Sequence, residues 1–448
     1  MGRLGQCMVA ALAVACVGGL CVPTPTARAD PVTGNCGFEK GDIYAREFRC
    51  DRYGEFYTTP EPLPPGPPGA IIRSEPIRLV YEPSGQLGGW VASGTRIMYR
   101  SNDTHGQPNV VTGTYFEPDR PWPGGGPRPL IAFAPGTQGQ GDQCAPSRLF
   151  GQGIHFSSGL DITLGYEQMF VATMVARGFA VVVTDYEGLG TEGVHTYVNR
   201  AAQAHALLDA ARAARALPAT SLEPGGPVAF WGYSQGGAAS AAAVELAPGY
   251  APELDIVGAY IGAPPADLAL MAPFLDGSVL AGALGYVVNG ALEAYPEASV
   301  PLRRALTPAG EDLLSRTKDQ CVAETMLTFA FHQIEEYFLA DPVALLRAEP
   351  LMSILDDQRI GRLRPSAPVV IDHNRWDPLV PYAGGRQLAL DWCAQGVDVE
   401  MRTNEQPPFL NKLVINHALP MWVDGERGMQ WIADRFNGLP TTPNCGQF

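Results

Sequence analysis

The stretch PVAFWGYSQGGAASAAAVEL (residues 227–246) decides the fold. It passes from an apolar run through a glycine-rich turn into an alanine-rich segment, the pattern of a buried β-strand followed directly by a helix. Ser234 lies in the turn, in the Gly-x-Ser-x-Gly motif between Gly232 and Gly236. A sharp strand-to-helix turn exposes such a serine hydroxyl, and its close packing leaves room only for glycine on either side. Ser234 is therefore the candidate nucleophile, and a simple glycine-rich bend is the alternative.

Short apolar strands alternate with helical segments around this turn. The runs PLIAFAP (129–135), FAVVVTD (179–185) and LDIVGAYIGA (254–263) are continuously apolar, which is typical of strands buried on both faces. Alanine-rich helical segments lie between them, so we predict a mostly parallel sheet flanked by helices on both faces. The carboxyl ends of its strands are then the expected place for a site. Upstream, runs between residues 70 and 118 indicate an antiparallel start to the sheet.

The alternation stops at residues 263–365, where apolar residues recur at the three- and four-residue spacing of helices. It resumes at PVVIDHNRWDP (368–378), so the helical part is predicted to be a cap, or lid, inserted between two core strands. We expect a core formed by residues 70–262 and 366–448, the second part ending in a C-terminal helix. An amino-terminal extension with a proline-rich connector is expected to cover residues 30–69.

Residues 1–29 have the pattern of a secretory signal peptide. Arg3 precedes an apolar stretch, and Ala-Arg-Ala at 27–29 is a small-x-small cleavage pattern. The stretch is too short for a membrane anchor and is interrupted by glycines and Pro23. We therefore predict cleavage after residue 29 and secretion, to the medium or the cell envelope.

The charge of the secreted chain limits its partners. Removal of the 29 residues, which include Arg3 and Arg28 and no acidic residue, would take the formal net charge from −15 to −17. Such an acidic surface repels phosphate backbones and anionic lipids, so nucleic acid is not an expected partner. Because 46% of the residues are hydrophobic, the chain can bury a large core. We expect a monomer without stable membrane insertion, and contact with a lipid interface stays open.

Six cysteines follow the predicted cleavage site, at wide spacing: Cys36, Cys50, Cys144, Cys321, Cys393 and Cys445. An even number in an exported chain favours three disulfides, and the C-x-x-C pairs typical of a zinc site are absent from the sequence. Spacing alone does not determine the connectivity, although Cys36 and Cys50 form the simplest pair. Cys16 and Cys21 precede the cleavage site and lack the Leu-x-small-Cys context of a lipoprotein, which stays a minor alternative.

A serine nucleophile needs a base, and the base needs an orienting acid. In a strand-turn-helix layout the acid and then the histidine follow the serine along the chain. His417 follows the last predicted strand and precedes the predicted terminal helix, so it is the candidate base. The loop after PVVID offers Asp372 and Asp377, and we favour Asp377 because it lies where the loop leaves the strand. Asp372 is expected to hold the loop through local hydrogen bonds.

Two backbone N–H groups are expected to stabilise the oxyanion. That of Gln235 lies at the start of the predicted helix, directly after the nucleophile. The second is expected from the loop that leaves the strand PLIAFA, where we favour Thr137 over Gly136. An ordinary strand-exit turn is the alternative for this loop. Because Gln235 acts through its backbone, its side chain is expected to tolerate substitution far better than that of Ser234.

A second glycine motif, GLGTEG (188–193), matches the Gly-x-Gly-x-x-Gly pattern of a dinucleotide site. Its glycines are separated from the preceding strand by Tyr186 and Glu187, and no acidic residue ends a following strand at the required distance. The sequence therefore disfavours a dinucleotide site, and the predicted chemistry requires neither a cofactor nor a metal.

Five features together carry a family resemblance: DYEGLG (185–190), GYSQGG (232–237), CAPS (144–147), DPLVPY (377–382) and His417. The chain resembles the secretory lipase family, of the lipase-A type found in fungi and actinobacteria. The resemblance implies an α/β-hydrolase fold with a large helical lid between the sixth and seventh strands. It also implies hydrolysis of acylglycerols or simpler carboxylic esters.

The resemblance further implies residue roles. The nucleophile, acid and base correspond to Ser234, Asp377 and His417. The oxyanion donors correspond to Gln235 and to the loop at Gly136 and Thr137. Two disulfides are implied, Cys144 with Cys321 and Cys393 with Cys445, which leaves Cys36 and Cys50 as an additional pair.

The substrate is less well defined than the chemistry. Four lid residues are expected either to line an apolar acyl site or to pack the lid's own core: Leu270, Phe274, Leu280 and Phe331. An acyltransferase of the same fold, acting on envelope lipids or sugars, is one alternative to a hydrolase. A non-catalytic lipid-binding protein is another, but it would need none of Ser234, Asp377 and His417.

Overall fold

The computed structural model describes residues 52–81, 88–156 and 162–448. The predicted signal peptide and the proposed Cys36 and Cys50 pair lie outside the described residues. The strands, in chain order, are β1 (Ile71–Ile77), β2 (Ala92–Asn102), β3 (Pro108–Pro118), β4 (Leu130–Ala134), β5 (Ile154–Phe156), β6 (Ile162–Leu164), β7 (Ala180–Thr184), β8 (Pro227–Tyr233), β9 (Asp255–Gly262), β10 (Val369–Asn374) and β11 (Val399–Asn404).

The helices divide into those that flank the sheet and those of the cap. The helices before the cap are α1 (Arg52–Tyr57), α2 (Pro146–Gln152), α3 (Gln168–Ala176), α4 (Arg200–Ala216) and α5 (Gln235–Tyr250). The cap helices are α6 (Ala272–Leu275), α7 (Ala283–Ala294), α8 (Ser299–Ala305), α9 (Pro308–Thr317), α10 (Val322–Phe329), α11 (Pro342–Leu346) and α12 (Leu351–Gln358). After the cap come α13 (Tyr382–Ala394) and α14 (Ile415–Phe436).

The main sheet confirms the predicted α/β class. Nine strands pair in the order β1-β2-β3-β7-β4-β8-β9-β10-β11. The first three strands are antiparallel, as expected, and β3 is antiparallel to β7. All later pairs, from β7 with β4 to β10 with β11, are parallel. The carboxyl ends of the parallel strands therefore lie along one edge of the sheet, and this edge is where the candidate site is found.

Both faces of the sheet are covered. One face packs against α4, α5 and α13, whose many alanines allow close helix-sheet contact. The other face packs against α3 and α14, where larger side chains such as Phe170 and Trp431 fill the space. Strands β4 and β7 are buried along their whole length, which explains their continuously apolar sequences.

The cap follows β9 and ends before β10. Counted along the chain, it lies between the seventh and eighth strands of the nine-stranded sheet, whereas the resemblance implies a lid between the sixth and seventh. The count differs by one because the sheet begins with three antiparallel strands before β4. No helix of the described residues combines the length and apolarity needed to cross a membrane.

Two disulfides connect distant parts of the chain. Cys144 pairs with Cys321 and links the core loop after β4 to the cap at the start of α10. Cys393 pairs with Cys445 and fastens the carboxyl terminus to α13. Backbone hydrogen bonds reinforce the first link, because the N–H of Val322 donates to the carbonyl oxygen of Gln138 at 2.8 Å. The cap is thereby attached to the core directly beside the predicted oxyanion loop.

Candidate active site

The turn that contains Ser234 has the geometry of a nucleophile elbow. β8 ends at Tyr233 and α5 begins at Gln235, so Ser234 alone joins strand to helix, with φ of +58° and ψ of −120°. A non-glycine residue in this region of backbone space costs about 1–3 kcal/mol. A Cβ atom on Gly232 would overlap the carbonyl oxygen of Gly236, and one on Gly236 would overlap that of Ala134. Both glycines are sterically required, which argues against a loose glycine-rich bend.

Three predicted residues meet at the carboxyl edge of the sheet. Nε2 of His417 lies 2.9 Å from Oγ of Ser234, and Nδ1 of His417 lies 2.7 Å from Oδ2 of Asp377. Because an ionised carboxylate can only accept, Nδ1 carries the proton and Nε2 is free to accept the proton of the serine hydroxyl. Ser234 directly follows β8, Asp377 lies in the loop after β10, and His417 lies in α14, which follows β11. In the sheet, only β9 separates β8 from β10.

His417 lies in the first turn of α14, not before the terminal helix as predicted. The prediction placed the terminal helix around residues 422–436, whereas α14 begins at Ile415. Pro420 lies inside α14 as its sixth residue, and because proline has no N–H, the helical hydrogen bond to the carbonyl oxygen of Asn416 is absent there. The hydroxyl of Tyr233 donates to the carbonyl oxygen of His417 at 2.7 Å and holds this turn. Tyr233 precedes the serine, so the strand of the nucleophile also positions the histidine.

Asp377 is buried and held by several donors. Its Oδ1 accepts hydrogen bonds from the N–H groups of Leu379 and Val380, both at 2.9 Å. His373 lies behind it, with Nε2 3.6 Å from Oδ2. Burial alone would raise the pKa of Asp377, but the charge of His417 and hydrogen bonds from both histidines outweigh it and lower that pKa below its usual range. Asp377 therefore stays ionised and can stabilise a positively charged imidazole.

The prediction for Asp372 was wrong in its details. Asp372 lies within β10 and does not hold the loop, because neither of its oxygens accepts a hydrogen bond from loop residues. Its nearest cation is Arg402, with Nε 3.9 Å away. Burial raises the pKa of Asp372 to about 7, only partly offset by Arg402. Its side chain is therefore partly neutral near neutral pH and does not contact His417.

Two N–H groups are available as oxyanion donors. Within the described residues, the backbone N–H groups of Thr137 and Gln235 donate to no other atom. Gly136 is excluded, because its N–H donates to Oε2 of Glu167 at 2.8 Å, which corrects its prediction as a donor. The hydroxyl of Tyr166 donates to the carbonyl oxygen of Thr137 at 3.2 Å. Tyr166 and Glu167 thus hold the loop, and of the two donors predicted in it, Thr137 remains the candidate.

The side chain of Gln235 is not free, which argues against the expectation that it tolerates substitution. It is 2% exposed, and its Nε2 lies 2.9 Å from Nε2 of His195. The sequence did not identify His195, because it belongs to no motif and lies upstream of the nucleophile.

A cavity lined by apolar side chains opens beside Ser234 and His417. Most of its lining comes from the cap: Leu268, Met271, Ala272, Leu275, Leu280, Ala283, Leu284, Val287, Val288, Leu302, Ile334, Phe338, Pro342, Leu345, Leu346 and Leu355. Of the four predicted lid residues, only Leu280 is among them. Leu270 and Phe274 line a separate surface groove, and Phe331 is 53% exposed. Helical periodicity identified the apolar residues of the cap but not the direction in which each one points.

The described residues contain no group of three or more His, Cys, Asp or Glu side chains arranged to hold a metal ion. The glycine motif at 188–193 forms the loop between β7 and α4. His195 follows this motif by two residues and contacts the site through the side chain of Gln235.

Comparisons with known proteins agree with the fold. Residues 155–444 match the family described as secretory lipase. A Mycobacterium tuberculosis protein named "probable inactive lipase" is 28% identical over 86% of this chain and 82% of its own length. A secreted triacylglycerol lipase of Malassezia furfur is 27% identical over 69% of this chain and 79% of its own. Candida antarctica lipase A in its closed state has the same fold, with a TM-score of 0.73 at 24% identity, covering 88% of this chain and 87% of that one.

Proposed function

Because the chain belongs to the secretory lipase family, we propose that it is a serine hydrolase that cleaves carboxylic esters of lipids through an acyl-enzyme on Ser234. The observation that carries the proposal is the chain of hydrogen bonds from Ser234 through His417 to Asp377, which begins at the wall of the apolar cavity. The lowered pKa of Asp377 supports its role as an ionised orienting acid.

In the acylation half, His417 takes the proton of the Ser234 hydroxyl as the oxygen attacks the ester carbonyl. The carbonyl oxygen becomes an oxyanion, and the N–H groups of Gln235 and Thr137 stabilise it. His417 then gives its proton to the departing alcohol, and the acyl group stays on the serine oxygen. Asp377 keeps the imidazole in the required tautomer and stabilises its transient positive charge without taking the proton.

In the deacylation half, water replaces the alcohol. His417 takes a proton from the water as it attacks the acyl carbonyl, and the oxyanion forms again at the same two N–H groups. Collapse of this intermediate returns the proton to the serine oxygen and releases a carboxylic acid. No step requires an additional oxidant, reductant or cofactor.

The cavity supports an apolar acyl group as the preferred part of the substrate. Val287 and Leu345 belong to different cap helices and face the same space as Ser234. Burial of a hydrocarbon chain against such side chains contributes about 0.8 kcal/mol per methylene group. A lipid ester with its carbonyl at Ser234 and its acyl chain in the cap fits both the polar and the apolar parts of the site.

Export is part of the proposal. The family is described as secretory, a relative is named a secreted lipase, and two disulfides are typical of an oxidising compartment. We propose that residues 1–29 are removed during export. Mass spectrometry of the protein recovered from culture medium should give an amino terminus at Asp30, and an intact Met1 on the exported protein would contradict this.

One relative is named an inactive lipase, so a non-catalytic lipid-binding protein is the second candidate function. The hydrogen-bonded Ser234, His417 and Asp377 favour catalysis, since a binding protein needs none of these contacts. The two functions are separated by turnover, because a binding protein would retain lipid without releasing a carboxylic acid.

The test is hydrolysis of nitrophenyl butyrate by the wild type, Ser234→Ala and a matched control. Ser240 lies on the same helix, and its buried Oγ has no hydrogen-bond partner in the described part of the chain, so Ser240→Ala is that control. Ser234→Ala should lower turnover by at least about 10⁴-fold, whereas Ser240→Ala should stay within about twofold of the wild type. A fluorophosphonate should label the wild type and Ser240→Ala but not Ser234→Ala. Wild-type turnover by Ser234→Ala would overturn the proposal.

A further inference from the structure

The glycine motif that follows β7 brings one histidine back toward the site. Gly188, Gly190 and Gly193 have φ of +68°, +85° and +104°. A Cβ atom on Gly188 would lie 2.5 Å from the carbonyl oxygen of Val194 and 2.8 Å from the nitrogen of His195. These glycines therefore let the loop close tightly, and the closure returns His195 to the start of the loop.

The hydrogen bonds of His195 determine its tautomer. Nδ1 lies 2.8 Å from the carbonyl oxygen of Glu187, which can only accept, so Nδ1 carries the proton. Nε2 is then an acceptor, and it lies 2.9 Å from the side-chain Nε2 of Gln235. The ring is 1% exposed and stacks on Tyr186, with 5.8 Å between ring centroids. Burial lowers the pKa of His195 to about 4, so the imidazole is a neutral acceptor at neutral pH.

The other side of the oxyanion loop is contacted from the same segment. The hydroxyl of Tyr197 lies 2.7 Å from Oγ1 of Thr137. The N–H of Tyr197 donates to the carbonyl oxygen of His195 at 2.8 Å, so the two residues form one tight turn. The side-chain amide of Gln140 also donates to that carbonyl oxygen, at 2.9 Å. A single short segment therefore contacts the side chains of both residues whose N–H groups are the proposed oxyanion donors.

We infer that the segment from His195 to Tyr197 positions the oxyanion hole by fixing the separation and direction of the Thr137 and Gln235 N–H groups. The inference rests on the proposed function. His195 is not among the residues that line the cavity beside Ser234, so it acts as a positioning residue. Tyr197 lines that cavity, but its hydroxyl is engaged by Thr137, and Tyr197→Phe removes only this contact and keeps the ring. An oxyanion forms only in the transition state and the intermediates, so the contribution of this segment should appear in kcat more than in KM.

A merely structural role predicts a different result. A residue that only stabilises packing lowers the free energy of unfolding but leaves the turnover of each folded molecule unchanged. A positioning residue changes the affinity for a transition-state analogue in proportion to kcat. A butyl trifluoromethyl ketone is such an analogue, because its adduct with a serine places an oxyanion at the two N–H groups.

The experiment compares the wild type, His195→Leu, His195→Gln and Tyr197→Phe on nitrophenyl butyrate and on the trifluoromethyl ketone. His195→Leu removes the acceptor for Gln235, whereas the carbonyl oxygen of the glutamine in His195→Gln can replace it. The control is His205→Leu, since His205 is a partly buried histidine on α4 whose Nδ1 contacts only the carbonyl oxygens of residues 102 and 103.

His195→Leu and Tyr197→Phe should each lower kcat by about 10- to 100-fold and weaken ketone binding by a similar factor, with KM within about threefold of the wild type. His195→Gln should recover most of the loss, and His205→Leu should retain wild-type kcat. If His195→Leu does not fold, Gln235→Ala removes the other partner of the same hydrogen bond and should give the same loss of kcat.

Wild-type kcat and ketone affinity in folded His195→Leu (or Gln235→Ala) and in Tyr197→Phe would overturn the inference while leaving the proposed function intact. A loss confined to KM would overturn it as well. Absence of hydrolysis by the wild type itself would instead reject the proposed function, and the inference with it.

Discussion

The carboxyl edge of the sheet and the cap contribute to the site in different ways. At the edge, polar side chains such as Asp377 and His417 are each held by two or more hydrogen bonds. The cap contributes mainly apolar side chains, and residues such as Val287 face open cavity. Under the proposed function, the edge determines which atoms react, and the cap determines which acyl chain can reach them. Changes at the edge should affect all esters alike, whereas changes in the cap should discriminate among them.

The largest expected effect is a loss of kcat when Asp377 is replaced, with Asp372, the other buried carboxylate of the edge, as the comparison. Asp377→Asn should lower kcat by about 10⁴-fold on short and long esters alike, because asparagine favours the wrong imidazole tautomer. Asp372→Asn should keep kcat within about fivefold of the wild-type value, because Asp372 does not contact His417 and its side chain is already partly neutral. Steady-state kinetics on nitrophenyl butyrate and palmitate checks both. An equal loss in the two variants would contradict the assignment of Asp377 as the orienting acid.

The next largest effect is expected from removing the disulfide that links the edge to the cap. Replacing Cys144 and Cys321 by serine should lower the free energy of unfolding by about 5 kcal/mol in the chain-entropy treatment of disulfides, against about 4 kcal/mol for Cys393 and Cys445. Only the first pair joins the edge to the cap, so only its loss should also lower kcat. Urea unfolding and kinetics of the two double variants measure these effects. Equal loss of kcat in both would show that the link beside the oxyanion loop has no specific effect.

A smaller effect concerns Glu167, which holds the oxyanion loop. Burial raises the pKa of Glu167 from 4.5 to about 8, with the Gly136 N–H opposing the shift. The folded state therefore retains a proton that the unfolded chain releases, and this contribution to stability is lost as pH rises from about 4.5 to 8. The free energy of unfolding of Glu167→Gln, relative to that of the wild type, should therefore increase by on the order of 3 kcal/mol between pH 5 and pH 8. Urea unfolding at several pH values measures this difference.

The matched control for that measurement is Glu335→Gln, since Glu335 is an exposed glutamate of the cap. Its unfolding free energy should follow the wild type across the pH range. Parallel curves for the wild type and Glu167→Gln would mean that Glu167 ionises at its ordinary pH in the folded protein.

The smallest effect is expected from filling the apolar cavity that the cap lines. Val287→Trp should lower kcat/KM for nitrophenyl palmitate by about 30-fold while leaving the acetate ester within about threefold, because the indole would occupy the cavity. Leu270→Trp is the control, since Leu270 lines the outer groove and is 40% exposed. Equal losses on both esters would show that Val287 affects the edge and not chain-length selection.

The parts of the molecule that followed from the sequence are those set by chain order. Strand-and-helix alternation predicted the sheet class, and the order of serine, acid and histidine placed Ser234, Asp377 and His417 at neighbouring strand ends. Because parallel strands align their carboxyl ends, residues that follow these strands in the sequence are expected to lie along the same edge of the sheet. The family match and the fold comparison support the predicted fold class.

Contacts between elements could not be predicted in this way. The bond from Gly136 to Glu167 spans 31 residues, and that from Gln235 to His195 spans 40, with no spacing rule to connect them. The sequence also placed the start of α14 after His417, whereas the helix begins at Ile415. Likewise, apolar periodicity in the cap cannot distinguish Leu280, which lines the cavity, from Phe331, which is exposed.

The backbone of Ser234 has an evolutionary consequence. At φ of +58° this position would suit glycine better than any other residue. Ser234→Gly would therefore abolish the proposed chemistry while relieving backbone strain, so the variant should be inactive and at least as stable as the wild type. A lineage that no longer requires turnover could therefore retain a folded but inactive protein through this single substitution.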